Sequence, residues 1–324
     1  MTEAAIETGA KFRDPDWTAN GARRARVALD ELRTLWINTG SLCNIECRNC
    51  YIDSSPTNER LAYISALEVL PFFEEIAALR LPVKEIGFTG GEPFMNPDII
   101  AMVEDALARG FSVLILTNAM QPMLRPRVRA GLLALRDTYR ERLTLRVSLD
   151  HYTSALHEEE RGLGSFDKTL EGIDWLAWAG FNIALAGRTC WGESEEEARK
   201  GYAALIKARD WPVDASDPLS LMLFPEMDAR AELPEITETC WSILQKDPRQ
   251  MMCASSRMVV KRKGADRPVV LPCTLLPYDP AFEMGATLSE AAHADGGMFD
   301  HGAVKLCHPY CAEFCVLGGG SCTV

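Results

Sequence analysis

Six short apolar runs, at residues 35–38, 84–88, 112–116, 143–147, 182–186 and 219–224, alternate with longer amphipathic segments. Short apolar runs bounded by turn residues read as strands. Strands alternating with helical segments wind a parallel sheet, because consecutive parallel strands need a crossover between them. The sequence therefore predicts an α/β fold, a partial (β/α)6 barrel of the TIM type, since six strands are too few to close an eight-stranded one. Ser65 with Glu68 and Ser194 with Glu197 fit helix-opening capping boxes, and Gly180 stands where a left-handed residue would end a helix over 167–179. Ahead of the barrel, residues 1–34 read as a loosely tied polar leader with a short helix over 22–33. Behind it, from about residue 249, a β-hairpin over 257–271 around Lys263-Gly264 opens a small cysteine-rich extension. The expected division is 1–34, 35–248 and 249–324.

Thirty-four basic against 46 acidic residues leave a net charge of −12. That excludes sequence-independent nucleic-acid binding, which draws its affinity from basic patches. The chain has no uninterrupted apolar stretch of the roughly 18 residues a membrane span needs, and its N-terminus lacks the apolar core of a signal peptide. A cytoplasmic protein without a membrane partner is expected. Eleven cysteines in such a reducing compartment point to metal binding or catalysis rather than a disulfide framework.

Three of them, Cys43, Cys47 and Cys50, form a C-x3-C-x2-C run directly after the first strand, at the end where barrel active sites lie. Three thiolates within eight residues bind one corner of an iron–sulfur cube and leave the fourth iron open. A zinc knuckle, the competing reading, usually shows paired C-x2-C halves. Further motifs stand at successive strand ends: Thr89-Gly90-Gly91-Glu92-Pro93, Thr117-Asn118, Ser148-Leu149-Asp150, and then Arg161-Gly162 with Gly164-Ser165-Phe166.

Together these residues, over roughly 35–224, resemble the radical S-adenosylmethionine (SAM) enzymes. The resemblance implies a [4Fe–4S] cluster on Cys43, Cys47 and Cys50. It implies SAM held by Gly90, Gly91, Glu92 and Pro93 at its methionine amino group, with Asn118, Ser148 and Asp150 as further contacts and Arg188 facing its carboxylate. Relatives often carry an aromatic residue before the third cysteine. Here Asn49 stands there and Tyr51 follows, so the adenine contact falls to Tyr51 or to Asn49.

Six cysteines close the chain: Cys253 and Cys273 flank the hairpin, and Cys307, Cys311, Cys315 and Cys322 follow. Their order is similar to the SPASM and twitch extensions of radical SAM enzymes, and their number implies one auxiliary [4Fe–4S] cluster. Cys253 with Cys273 is the first pair of ligands and Cys311 with Cys315 the second. A zinc site, or Cys307 or Cys322 kept as a hydrogen-atom donor, stays open. Cys190 and Cys240 read as packing residues, and Glu158-Glu159-Glu160 as a solvated helix face. The function so implied is reductive cleavage of SAM to modify a C–H bond of a peptide or small polar metabolite, with a flavodoxin or ferredoxin as reductant. The alternative is a non-catalytic iron–sulfur or zinc protein that carries electrons or binds a partner.

Overall fold

Parallel strands are covered on both faces and so must be apolar almost throughout. Accordingly, the strand Thr34–Asn38 is buried at every position. The computed structural model describes residues 10–225, 227 and 232–320. Its strands are β1 (Arg26–Val27), β2 (Thr34–Asn38), β3 (Glu85–Thr89), β4 (Ser112–Thr117), β5 (Leu143–Ser148), β6 (Asn182–Arg188), β7 (Leu221–Phe224), β8 (Ser256–Val260), β9 (Val269–Leu271), β10 (Phe299–Asp300) and β11 (Ala303–Lys305). The order β7-β6-β5-β4-β3-β2-β8-β9 is parallel as far as β8, with β9 antiparallel to it. This is the expected partial barrel, left open between β7 and β9.

Helices α1 (Ala66–Ala78), α2 (Ile99–Ala108), α3 (Gln121–Leu124), α4 (Pro126–Tyr139), α5 (Ser154–Arg161), α6 (Ser165–Trp178) and α7 (Glu195–Arg209) fill the crossovers, with short α8 (Cys240–Ile243) and α9 (Leu288–Ala292) beyond β7 and β9. Both capping boxes form, at Ser65 and Ser194. Gly180, at φ +77°, follows α6 in the left-handed region.

The ends of the chain depart from the sequence reading. Residues 22–33 hold no helix; β1 pairs instead with β11, Arg26 opposite Lys305 and Val27 opposite Val304. Nor are residues 10–20 loose. The carboxylate of Glu235 accepts from the backbone N–H groups of Phe12 and Ala19 and pairs with the buried Arg24 at 2.5 Å. Arg24 in turn donates to the carbonyls of Asp14, Trp17 and Leu306. The hairpin forms as β8 and β9, but β8 lies parallel to β2, so the sheet runs on across the expected boundary near residue 248. Cys240 opens α8 and is half-buried, as is Cys190.

Breaking a buried ion pair by removing one partner leaves an uncompensated charge and costs about 3–5 kcal/mol. Glu235→Gln is therefore expected to lower unfolding stability by about that amount in urea titrations, because it strands Arg24, whose side chain is 1% exposed. A loss of only a few tenths of a kcal/mol would show that the pair does not anchor the leader.

Candidate active site

The loop after β2 is held by an extension of the β2–β3 ladder. Thr39 N–H donates to the Thr89 carbonyl at 2.8 Å, Gly91 N–H to Gly40 at 2.8 Å and Glu92 N–H to Leu42 at 3.1 Å. A Cβ on Gly91 would lie 2.1 Å from the Leu42 carbonyl oxygen, and one on Gly90 2.6 Å from that of Gly40. The two glycines thus admit the chain's own cysteine loop, the approach that only a residue without Cβ allows. From there Cys43 N–H donates to the Ser55 carbonyl, and Cys50 Sγ accepts from Ser54 N–H at 3.3 Å.

Below this loop Glu92 is 1% exposed. Its Oε1 accepts from Thr117 Oγ1 at 2.8 Å and from Phe94 N–H at 3.2 Å, and its Oε2 accepts from Asn118 N–H at 2.9 Å. Burial outweighs these donors and pushes its carboxyl up to about 7. Asn118 reaches the cysteines directly: its Nδ2 donates to Asn44 Oδ1 at 2.9 Å and approaches Cys43 Sγ at 3.8 Å. Burial, with the Glu92 carboxylate adding to it, pushes the Cys43 thiol up to about 12, and burial raises Cys47 as well.

On the other flank a buried ionic network ties the loop to β5, β6 and α5. Asp150 accepts from Arg161 Nε at 2.6 Å and Nη2 at 3.1 Å, and Arg188 Nε lies 3.4 Å away. Burial works against ionisation of Asp150, yet the two guanidinium groups hold its carboxyl below the usual range. Glu160 is 3% exposed, not solvated. It accepts from Asn49 N–H at 2.8 Å and Asn49 Nδ2 at 3.0 Å, and lies 3.6 Å from Arg188 Nη1. Arg188 donates to the Asn49 carbonyl at 2.8 Å and stacks 4.4 Å over the Tyr51 ring. Tyr51 donates to the Pro225 carbonyl at 2.9 Å and meets Phe224 and Phe314 edge-on.

A cleft of about 1050 Å³, counting its open mouth, lies at the C-terminal ends of the strands. Cys43, Cys47, Cys50, Tyr51, Gly90, Gly91, Asn118, Ser148, Asp150 and Arg188 line it, while Glu92 and Pro93 sit beneath. Two buried lining atoms, Arg188 Nη1 and Ser54 Oγ, have no hydrogen-bond partner. Such atoms fit a polar ligand that satisfies them. Arg161, from the motif after the fourth strand, also lines the cleft, and so, unforeseen from the sequence, do Arg146, Ser54 and, next to Cys273, Thr274 and Leu275.

Cys253, Cys273, Cys307 and Cys311 are buried together in the C-terminal region. Burial raises the Cys311 thiol well above its ordinary range, with the neighbouring thiols of Cys273, Cys253 and Cys307 adding to the effect. Cys307 thus joins the group and Cys315, on the π-helical turn Cys311–Leu317, is half-buried. Cys322 lies outside the described residues. Zinc–sulfur bonds of about 2.3 Å in a tetrahedron place cysteine sulfurs about 3.8 Å apart. Among the described residues no three cysteine sulfurs, in either group, lie within 4.8 Å of one another, so neither group is drawn up at zinc spacing.

The radical SAM superfamily profile matches residues 37–200, half of the chain. The chain belongs to the radical SAM superfamily. Membership makes it an enzyme and implies a [4Fe–4S] cluster and SAM. Among radical SAM relatives, the antilisterial bacteriocin subtilosin biosynthesis protein AlbA of Bacillus subtilis is 30% identical over 147 residues, 44% of this chain and 30% of AlbA. The mycofactocin maturase MftC of Mycobacterium tuberculosis is 29% identical over 139 residues, 43% of this chain and 33% of MftC. The chain thus spans about a third of the length of these relatives. In fold it is similar to Streptococcus suis SuiB. The SAM-bound SuiB structure has a TM-score of 0.59 at 12% identity, covering 82% of this chain and 66% of SuiB. The structure bound to precursor peptide SuiA has a TM-score of 0.56 at 11% identity, covering 80% and 63%.

A carboxyl raised on folding stabilises the fold in its protonated form. For Glu92 that contribution is full below the ordinary value of 4.5 and is lost as the pH rises through about 7. Apo protein is expected to lose stability across this window, and Glu92→Gln to flatten that slope in denaturation curves taken at stepped pH. An unchanged slope would remove Glu92 as its source.

Proposed function

We propose that Cys43, Cys47 and Cys50 hold a [4Fe–4S] cluster whose open iron takes SAM, and that the chain modifies an unactivated C–H bond of a peptide. The observation that carries this reading is the convergence of the three cysteines, the Gly90-Gly91 turn, Asn118, Ser148, Asp150 and Arg188 on one cleft. When bound, the cluster and SAM supply a 5′-deoxyadenosyl radical that abstracts hydrogen from the substrate. The protein's own part is orientation and exclusion of water.

Arg188 would offer Nη1, which lies 3.6 Å from the Glu160 carboxylate without a hydrogen-bond partner, to the methionine carboxylate, while Asn49 and Asp150 hold its other donors. Ser148 and Asp150, which line the cleft, would bind the ribose, with Asp150 held ionised by Arg161 and Arg188. Asn49, in the place of the common aromatic residue, spends its amide on Glu160, which leaves the adenine face to Tyr51. Glu92 acts from beneath, fixing Asn118 rather than touching SAM. Cys253, Cys273, Cys307 and Cys311 hold one auxiliary [4Fe–4S] cluster, with Thr274 and Leu275 bringing that region to the cleft wall. A flavodoxin or ferredoxin supplies the electron. The roles of AlbA in bacteriocin biosynthesis and of MftC in mycofactocin maturation, with the precursor peptide bound by SuiB, favour a peptide over a small polar metabolite.

Anaerobic reconstitution is expected to load about eight irons per chain and, with dithionite, to form 5′-deoxyadenosine from SAM. Cys47→Ala abolishes that product while the C-terminal irons stay. Arg188→Ala raises the KM for SAM roughly tenfold to a hundredfold, the loss of a charged hydrogen bond worth about 1.5–3 kcal/mol. Deuterium from the deuterated peptide fraction of cells that make the protein is expected in the 5′-deoxyadenosine. Its arrival from the small-metabolite fraction alone would overturn the peptide assignment, and product from Cys47→Ala would overturn the cluster assignment.

A further inference from the structure

A cation fully removed from water is strongly destabilised unless an anion or a complete set of acceptors compensates it. Arg257, on β8, is 1% exposed. Its Nη1 donates to the carbonyls of Cys253 and Ser256, both at 2.7 Å, and its Nη2 reaches the Gly302 carbonyl at 3.4 Å. Nε is buried with no acceptor, and no carboxylate pairs with the guanidinium among the described residues. Two other deeply buried arginines do face a carboxylate, Arg24 that of Glu235 and Arg188 that of Asp150. Burial works against the charge of Arg257, and the neighbouring groups that favour it are the sulfurs of Cys253 and Cys273.

We propose that Arg257 is the built-in counter-ion of the C-terminal cysteine centre and sets its reduction potential. The inference rests on the auxiliary-cluster reading and deepens it. A cube bound by four thiolates carries net negative charge and becomes more negative on reduction. A fixed positive charge in the adjoining dry interior favours the reduced state and raises the potential, since cluster charge and surroundings set that potential. Neutral carbonyls alone leave the guanidinium uncompensated, and the metal–thiolate centre supplies the missing anion. Arg257 is thus a positioning and tuning residue rather than a catalytic one.

The test is a potentiometric titration of the reconstituted full-length protein, followed by electron paramagnetic resonance (EPR) and reading the signal that SAM does not perturb. In Arg257→Gln the ratio of reduced to oxidised centre at fixed potential is expected to fall at least tenfold, a midpoint about 59 mV more negative for a one-electron couple. Arg257→Lys, which keeps the charge, restores most of the shift. If Arg257→Gln takes up no C-terminal iron, the proposal expects Arg257→Lys still to load it. An unchanged midpoint in Arg257→Gln, equal shifts in both variants, or loss of iron in both overturns the role of the charge. Wild-type protein that loads about four irons and shows only a SAM-sensitive signal overturns the auxiliary-cluster reading itself, and the role of Arg257 with it. That failure is visible before any variant is made.

Discussion

The contact between Gly91 and the Leu42 carbonyl sets where everything else in the site can lie. Strands β2 and β3 pair in parallel, and the same ladder continues beyond both strands as backbone bonds between residues 39–42 and 89–92. Leu42 directly precedes Cys43, so the first cysteine is placed by main chain against main chain, with no flexible side chain in between. One side chain from the glycine turn then locks the arrangement: Glu92 clamps Thr117 and Asn118 at the end of β4, and Asn118 returns to Asn44 and Cys43. Three strand ends are thereby referenced to one sulfur.

The opposite side of the loop is fixed by charge instead. Asp150, Arg161, Arg188 and Glu160 compensate one another in a region of low dielectric, where an isolated ion would be costly. Their common product is the position of Asn49, between Cys47 and Cys50. The cleft between these two flanks is polar where a ligand can satisfy Arg188 and Ser54, and it reaches the C-terminal cysteine region through Thr274 and Leu275.

The six barrel strands were legible because parallel strands need apolar runs, and the three-cysteine run because its spacing has few other uses. Other features depend on pairing between distant segments, which no local pattern reports. The helix expected over 22–33 yields to the β1–β11 pairing, and β8 joins β2 across more than 200 residues of sequence separation. Glu160 is hidden in an acidic run whose neighbour Glu159 is exposed and whose Glu158 is half-buried; its place on α5 against Asn49 distinguishes it. Arg257 sits in a strand that reads as polar at that position, and its burial depends on the pairing of β8 with β2 and on the Gly302 segment, both distant in sequence.

The most direct test of the central constraint is iron uptake and SAM cleavage by Gly91→Ala. An added methyl group has no room 2.1 Å from the Leu42 carbonyl, so the cysteine loop has to move. The account predicts that the variant keeps its thermal transition within a few degrees and retains only the C-terminal irons, about half of the wild-type load, while forming no 5′-deoxyadenosine. Full iron content with wild-type cleavage would show that the cysteine loop is positioned by something other than this contact.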